Sequence, residues 1–359
     1  MDSIYVYNRD LEILGIIDSY ESLIWRPSYS EIGDFEIHMP ATDKAMELLT
    51  ENNYVVRSSD ISVDGNNTTF KKVMIVKNVV INTEVDKGDY ITVTGRELKY
   101  ILHQRLIWSQ TICKGTTEEA IRQYITENAI NPSNKNRVIP GLELGALVGF
   151  SDTLNKQVTA QPLDETIVDI CNTYNYGWDI YVLNKRLIFT LYQGVDRSYE
   201  QTERPYVVFS DSYDNLNNTE YHKRTEDFAN TALIGGEGEG LERIYATVGN
   251  EHTGLDRFET FVEAKDVRRN VGSEDEISLS EYQKLLEEDG KTELAEYGIT
   301  EAFTGDIISD MGFIYEEDFF LGDIVTVINK YGISRNVRVI SAIESADDTG
   351  TRLIPQFNM

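Results

Sequence analysis

One hexapeptide pattern occurs twice in this chain of 359 residues. Gly88-Asp89-Tyr90-Ile91-Thr92-Val93 and Gly322-Asp323-Ile324-Val325-Thr326-Val327 share the form Gly-Asp-x-(Ile/Val)-Thr-Val. Gly-Asp supplies turn geometry, and the β-branched tail suits a pleated, partly buried surface. The pattern therefore demands a turn feeding a strand at two distant points. Either a common turn-plus-strand arose twice by chance, or the chain holds two related β modules.

The residues around each copy are β-like. In Asp34 to Met39, Phe35, Ile37 and Met39 share one face, and Asp34, Glu36 and His38 share the other. Strands are expected at Tyr54–Arg57, Lys72–Val80, Asn82–Val85 and Asp89–Thr94, the last two joined by Asp86-Lys87-Gly88. Thr42 or Asp43 is placed to cap a short helix through Leu49, and Arg96–Arg105 reads as a second helix. After about residue 105 the pattern changes. Thr116 and Glu119 form a capping box ahead of a helix over Glu118–Asn128. Ile167, Ile170, Cys171 and Tyr174 define a helix that starts near Asp164, and the strands Gly177–Val182 and Arg186–Tyr192 follow. From Tyr206 the pattern is β again, with a hairpin over Thr231–Gly236 and Leu241–Val248. An acidic helical stretch runs from Gly272 to Gly298, started by Ser280 and bent or interrupted at Gly290. Strands at Ile307–Tyr315, Asp323–Asn329, Ser334–Glu344 and Thr351–Phe357 close the chain. The expected fold is mainly β with an α+β part. Its domains are 1–104, 105–204 and 205–359, the last with a helical insertion at about 272–298.

Composition bounds the function. Lys plus Arg is 33 and Asp plus Glu is 61, a formal net charge of −28. Such a surface repels nucleic acid and anionic membranes, which excludes a sequence-specific nucleic-acid binder. It suits solubility, or a surface past which DNA slides without sticking. No apolar run reaches the length of a membrane span, and the opening residues MDSIYVYNRD lack a signal region. The expected site of synthesis is therefore a cytoplasm.

The chemistry-bearing residues form no motif. His38, His103, His222 and His252 have no metal-ligand spacing. Cys113 and Cys171 are read as buried free thiols. Gly235-Gly236-Glu237-Gly238-Glu239-Gly240 lacks the Gly-Lys-Ser/Thr ending of a P-loop, and its glutamates oppose phosphate, so it reads as a wide hairpin turn. Glu316-Glu317-Asp318 and Asp347-Asp348 do not follow EF-hand spacing and read as exposed turns. No catalytic, cofactor-binding or metal-ligating residue is assigned. The 21 tyrosines suit cores and subunit interfaces better than a sugar platform.

The line ESLIWRPSYSEIGDFEIHMPAT, Glu21 to Thr42, resembles the opening of the siphophage family of minor tail, or tail-tip hub, proteins. The resemblance continues at GDYITVTGRELKYIL, at Gly194–Leu216, at ALIGGEGEGLER, at GLDRFETFVEAKDV and at EDFFLGDIVTVIN, in the family's order. It implies two related β-barrel modules per chain, a peripheral α+β domain, and a homotrimer that forms a ring around the DNA channel. That ring adapts a sixfold tail tube to a threefold tip. The implied partners are the distal tail protein ring, the tape-measure protein and tip fibre or spike proteins. The implied place is the virion, assembled in the host cytoplasm. Many relatives continue into a C-terminal hydrolase or fibre, whereas this sequence stops at Met359, so no lytic activity is carried over. A non-enzymatic structural role is expected. A tail-tip cell-wall hydrolase and a module that binds host-surface glycans are the alternatives.

Overall fold

The computed structural model describes residues 2–84, 88–109, 111–270, 277–307 and 312–358. The first part of the chain forms β1 (Ile4–Tyr7), β2 (Ile13–Ile17), β3 (Ser22–Arg26), β4 (Asp34–Pro40), α1 (Asp43–Leu48), β5 (Tyr54–Arg57), β6 (Ile61–Asp64), β7 (Asn67–Phe70), β8 (Met74–Glu84) and β9 (Gly88–Glu97). Next come β10 (Thr111–Thr116), α2 (Thr117–Ile125), β11 (Leu142–Leu144), β12 (Thr153–Val158), α3 (Leu163–Tyr174), β13 (Gly177–Leu183) and β14 (Arg186–Tyr192). The last part holds β15 (Val208–Ser210), β16 (Leu216–Arg224), β17 (Thr231–Gly235), β18 (Tyr245–Val248), β19 (Glu259–Glu263), α4 (Leu279–Glu296), β20 (Thr300–Ile307), β21 (Ile324–Ile328), β22 (Ser334–Asp347) and β23 (Gly350–Asn358).

Among the described residues thirteen strands join in one sheet that draws on both ends of the chain. Its first half has the order β3-β4-β9-β8-β5 and its second half the order β16-β20-β23-β22-β21. Taken in chain order, the two sets are connected identically, and every pairing within them is antiparallel. The duplication reaches the register. β8 is bulged between Val76 and Asn78, and β22 between Val339 and Ser341. Superposing those bulges sets Met74 on Val337 and Val76 on Val339, all four buried. Thr94 lies opposite Asn78 and Glu36, as Gln356 lies opposite Ser341 and Thr304. Phe35 thus matches Phe303, and Trp25 matches Tyr221. The two ring pairs sit at centroid distances of 5.4 and 6.0 Å. The fifth pairing, to a sixth strand, differs: β1 runs antiparallel to β5, whereas β15 runs parallel to β21.

Each half surrounds its own core. Trp25, Phe35, Ile37, Val76, Ile91 and Val93 fill the first, and Phe209, Phe303, Phe319, Val325, Val327 and Val339 the second. The fold is mainly β, with two related modules and an α+β part. In that part α2 and α3 bury Ile121, Tyr124, Ile167 and Ile170 in a core that also takes Tyr7, Val56 and Val73 from the first module. The hairpin β6–β7 joins the sheet of β13 and β14. Between β16 and β20 the chain makes a separate three-stranded sheet, β18-β17-β19, packed on Tyr282, Leu285 and Leu286 of α4.

Several local expectations need correction. The helix expected over Arg96–Arg105 is replaced by the end of β9 and a 3-10 segment, Leu98–Gln104, because Gly95 to Glu97 stay paired to β8. The cap of α4 is Ser278, whose hydroxyl accepts from the Glu281 N–H at 3.2 Å, and not Ser280. Gly290 does not interrupt α4. A Cβ there would lie 2.4 Å from Ile234 Cγ1, so the glycine lets helix and sheet approach. Of the stretch expected to be helical over 272–298, residues 271–276 lie outside the described residues, as do 308–311 of the strand expected over 307–315 and 85–87 of the turn before β9. Finally, the Gly-Asp repeat does not mark equivalent corners. By connectivity β9 corresponds to β23, and β21 to β5. The duplication is real, and the hexapeptide is a coincidence within it.

Candidate functional site

The two modules meet where the far half of β22 pairs with β3, Glu344 opposite Trp25 and Asp347 opposite Ser22. An ionic cluster locks this junction. Arg57, at the end of β5, donates from Nη1 and Nη2 to Glu344 at 2.9 and 3.0 Å, and from Nε to Asp60 at 2.6 Å. Its guanidinium lies 5.3 Å from the Trp25 ring centroid. Lys72 Nζ adds contacts to Glu344 at 3.1 Å and Glu316 at 2.9 Å. Burial works to raise the Glu344 carboxyl, but Lys72 and Arg57 hold it below the usual carboxylate range. Asp60 is raised by burial, which outweighs the same two cations.

A cleft of about 370 Å³ opens beside the cluster, lined by Lys72, Lys99, Asp179, Tyr192, Arg197 and Tyr315 among others. Lys99 is almost wholly buried and donates to the carbonyls of Ser28 (2.5 Å) and Glu31 (3.0 Å) and to Glu97 (3.1 Å). Glu97 also accepts from the Gly33 N–H at 2.6 Å, and burial lifts its pKa. Asp323 accepts from Val195 N–H (2.8 Å), Arg197 Nε (2.8 Å) and Phe320 N–H (3.0 Å). Next to it Gly322 has φ +90°, and a Cβ there would stand 2.2 Å from the Tyr29 ring. Tyr29 itself donates to the Asn175 carbonyl at 3.0 Å and accepts from the Gly194 N–H at 3.3 Å. Glu344, Glu97 and Asp323 are thus held by cations or backbone N–H groups. The arrangement fixes β3, β5, β21 and β22 against one another.

The residues weighed in the sequence lie elsewhere. Cys113 is buried, its thiol pushed up to about 11 by burial, and Cys171 is raised further. His38 contacts Thr92, His103 contacts Asp164, His222 contacts Glu220 and His252 contacts Glu251, in four separate places. Among the described residues no group of His, Cys, Asp and Glu is arranged to hold a metal ion. The Gly235–Gly240 run is a turn whose carbonyls at Gly235 and Gly236 take Arg243, and whose Glu237 N–H donates to the Tyr282 hydroxyl. Glu316 belongs to the junction cluster, and Asp347 caps its own turn through the Thr349 N–H. Sequence reasoning missed Arg57, Lys72, Lys99 and Glu344. Their signal was a charge set inside or beside an apolar strand pattern, as in Tyr54-Val55-Val56-Arg57.

Comparison with known proteins agrees with this architecture. The family described as Siphovirus ReqiPepy6 Gp37-like protein matches residues 3–357. A tail protein from Neisseria meningitidis MC58 superposes with a TM-score of 0.55 at 13% identity, over 99% of this chain and 95% of that one. The 43 kDa tail protein of prophage MuSo2 from Shewanella oneidensis gives 0.55 at 13%, over 99% and 98%. Prophage tail protein gp18 from Listeria monocytogenes EGD-e gives 0.52 at 14%, over 100% and 94%. The comparison with curated proteins gave no match. Among the described residues no helix is long and apolar enough to cross a membrane.

Proposed function

Because the chain belongs to the Siphovirus ReqiPepy6 Gp37-like protein family, we propose that it is a structural hub of a siphophage or prophage-derived tail tip. Three copies form a ring around the DNA channel and adapt a sixfold tube to a threefold tip. The observation that carries this reading is the duplicated strand order, two equivalent modules side by side in one sheet. A trimer of such chains offers six equivalent modules to what lies above and three chains to what lies below. The neighbours on this reading are the distal tail protein ring, the tape-measure protein and tip fibre or spike proteins.

The charge supports the same role. Three copies of a chain at −28 carry −84, and a wall of carboxylates lets DNA pass by Coulomb repulsion without adhesion. The locked junction supports a part that bears load and does not turn over substrate. The test is the mass of the purified chain in solution, followed by reconstruction of the assembled tip. A threefold ring with an acidic lumen is the expected result. A neutral or basic lumen removes the channel argument. Release of soluble fragments from host cell walls by the purified chain would replace the hub with a hydrolase.

A further inference from the structure

The segment between β9 and β10 meets the loop before β11 in a patch unlike the rest of the chain. With 61 acidic side chains against 33 basic ones, carboxylate partners are plentiful. Arg26, Arg57, Arg197 and Arg243 each take one. Arg105, Lys135 and Arg137 do not. Arg105 donates from Nε to the Arg137 carbonyl at 2.6 Å, and from Nη1 and Nη2 to the carbonyls of Gln104 (3.0 Å) and Val138 (3.5 Å). Arg137 returns the contact: its Nη2 donates to the Leu106 carbonyl and to Asn128 Oδ1. Lys135 donates to Asn131 Oδ1 at 2.6 Å. All these acceptors are uncharged, and Arg137 keeps Nε and Nη1 without an acceptor among the described residues. Glu127, next to Asn128, is taken up by Gln123 at 2.8 Å and Thr111 at 3.3 Å. Burial lowers the pKa of both arginines, and repulsion from Arg105 lowers Arg137 further, with no carboxylate opposing. Apolar surface lies against these cations. The Arg137 guanidinium stands 4.2 Å from the Trp108 ring centroid, and Trp108 and Leu106 are 58% and 44% exposed.

We propose that this patch docks a short acidic segment of a partner protein, one that carries an apolar side chain beside its carboxylates. The carboxylates meet Arg105, Lys135 and Arg137, and the apolar side chain covers Trp108 and Leu106. The site is built before anything binds. Each arginine is pinned by the other's backbone, and the Trp108 stack holds Arg137 still, so little side-chain freedom is lost on docking. Trp and Arg are also the side chains on which interface energy concentrates. Charge selects the occupant. A long polyanion, such as a phosphate-rich glycan or a nucleic acid, would run off three cations onto the surface of a chain at −28 and be repelled. A short acidic segment ends before that, and its apolar side chain gains from the ring and the leucine. Such docking stands whether or not three copies close a ring.

The test uses the full chain and its own fluorescence. Trp25 and Trp178 are fully buried, so Trp108 is the accessible one of three tryptophans. Iodide is expected to quench that emission about twofold more strongly than caesium, against the sign of the net charge. Stronger quenching by caesium overturns the cationic site. The binding probes are the capped peptides Asp-Glu-Leu-Phe-Asp-Glu, Asp-Glu-Ser-Gly-Asp-Glu and Lys-Lys-Leu-Phe-Lys-Lys, with polyphosphate as the polymer. The first peptide is expected to bind about tenfold more tightly than the other probes and to shield Trp108 from acrylamide. Trp108→Ala and Lys135→Glu, both at exposed positions, should each weaken it about fivefold by titration calorimetry while leaving the thermal melt in place. Unchanged affinity in both variants overturns the proposal, as does equal binding of the first two peptides. Tighter binding of polyphosphate overturns it in favour of an anionic polymer. A purified chain that self-associates with Trp108 already shielded overturns it in favour of a second copy.

Discussion

The two Gly-Asp hexapeptides are alike in sequence and unlike in use. In both, the fourth and sixth residues point into a core: Ile91 and Val93 in one, Val325 and Val327 in the other. In both, the glycine is left-handed, φ +92° at Gly88 and +90° at Gly322. There the likeness ends. Gly88 stands in open space at a hairpin end, with no atom within 4 Å of where a Cβ would stand, and Asp89 is exposed. Gly322 lies against Tyr29, and Asp323 is buried under three donors. The strands they open are not counterparts in the duplicated sheet. The positions that are counterparts, such as Phe35 and Phe303, are separated from any shared hexapeptide. Strand order and core volume outlast local sequence when a module is copied, because many sequences satisfy the same alternation.

That comparison can be broken by unfolding measurements in denaturant. The largest effect is expected at the matched aromatics. Phe35→Ala and Phe303→Ala should each cost ~3–5 kcal/mol, since both rings are fully buried. A cost at one site and not the other would break the register match. Asp323→Ala should cost ~3 kcal/mol by leaving Arg197 and two backbone N–H groups without their acceptor, whereas Asp89→Ala should stay within ~0.5 kcal/mol. Gly322→Ala should cost ~2–3 kcal/mol from backbone strain plus the clash with Tyr29, and Gly88→Ala only ~1 kcal/mol from strain alone. Equal costs at the two glycines would mean that the repeat is used equivalently after all.

The smallest effect concerns pH and sets the module junction against the contact between α3 and α4. Asp169 on α3 is raised to about 6, first by burial and then by Glu296, Glu293 and Glu165, with Lys156 opposing. A raised carboxyl penalises the folded state when ionised, so the penalty is present above about pH 6 and fades as the acid protonates. Asp169→Asn should therefore stabilise the chain by ~1–2 kcal/mol near pH 7.5, allowing for partial exposure, and by nothing near pH 3.5. Glu344 has the opposite sign: its folded pKa is lowered, so its contribution is present at neutral pH and is lost as pH falls through that value. Thermal melts of Asp169→Asn and Glu344→Gln across pH separate the contacts.

Much of the fold was legible because it rests on alternation and caps. The strands β4, β5, β13, β14 and β23, the cap at Thr42 and the capping box at Thr116 all follow from short-range patterns. Gly290 misled because a glycine read locally signals a bend, while its role is set by Ile234, which is distant in sequence. The junction cluster was illegible for the same reason. Arg57 and Glu344 are 287 residues apart, and a lone charge in a strand does not name its partner. The duplicated order was invisible too, since hydrogen-bond connectivity leaves no mark in a single sequence once side chains have drifted.

β22 belongs to both modules. Over 14 residues it is hydrogen-bonded to β21, β23 and β3. A pull that separates the modules along this strand loads its bonds in shear, many at once, and not one after another as in peeling. The junction then behaves as a stiff splice and not as a hinge. Tension applied across the two modules would pass through each chain without opening it, and single-molecule extension should give one high-force rupture in place of two weaker ones.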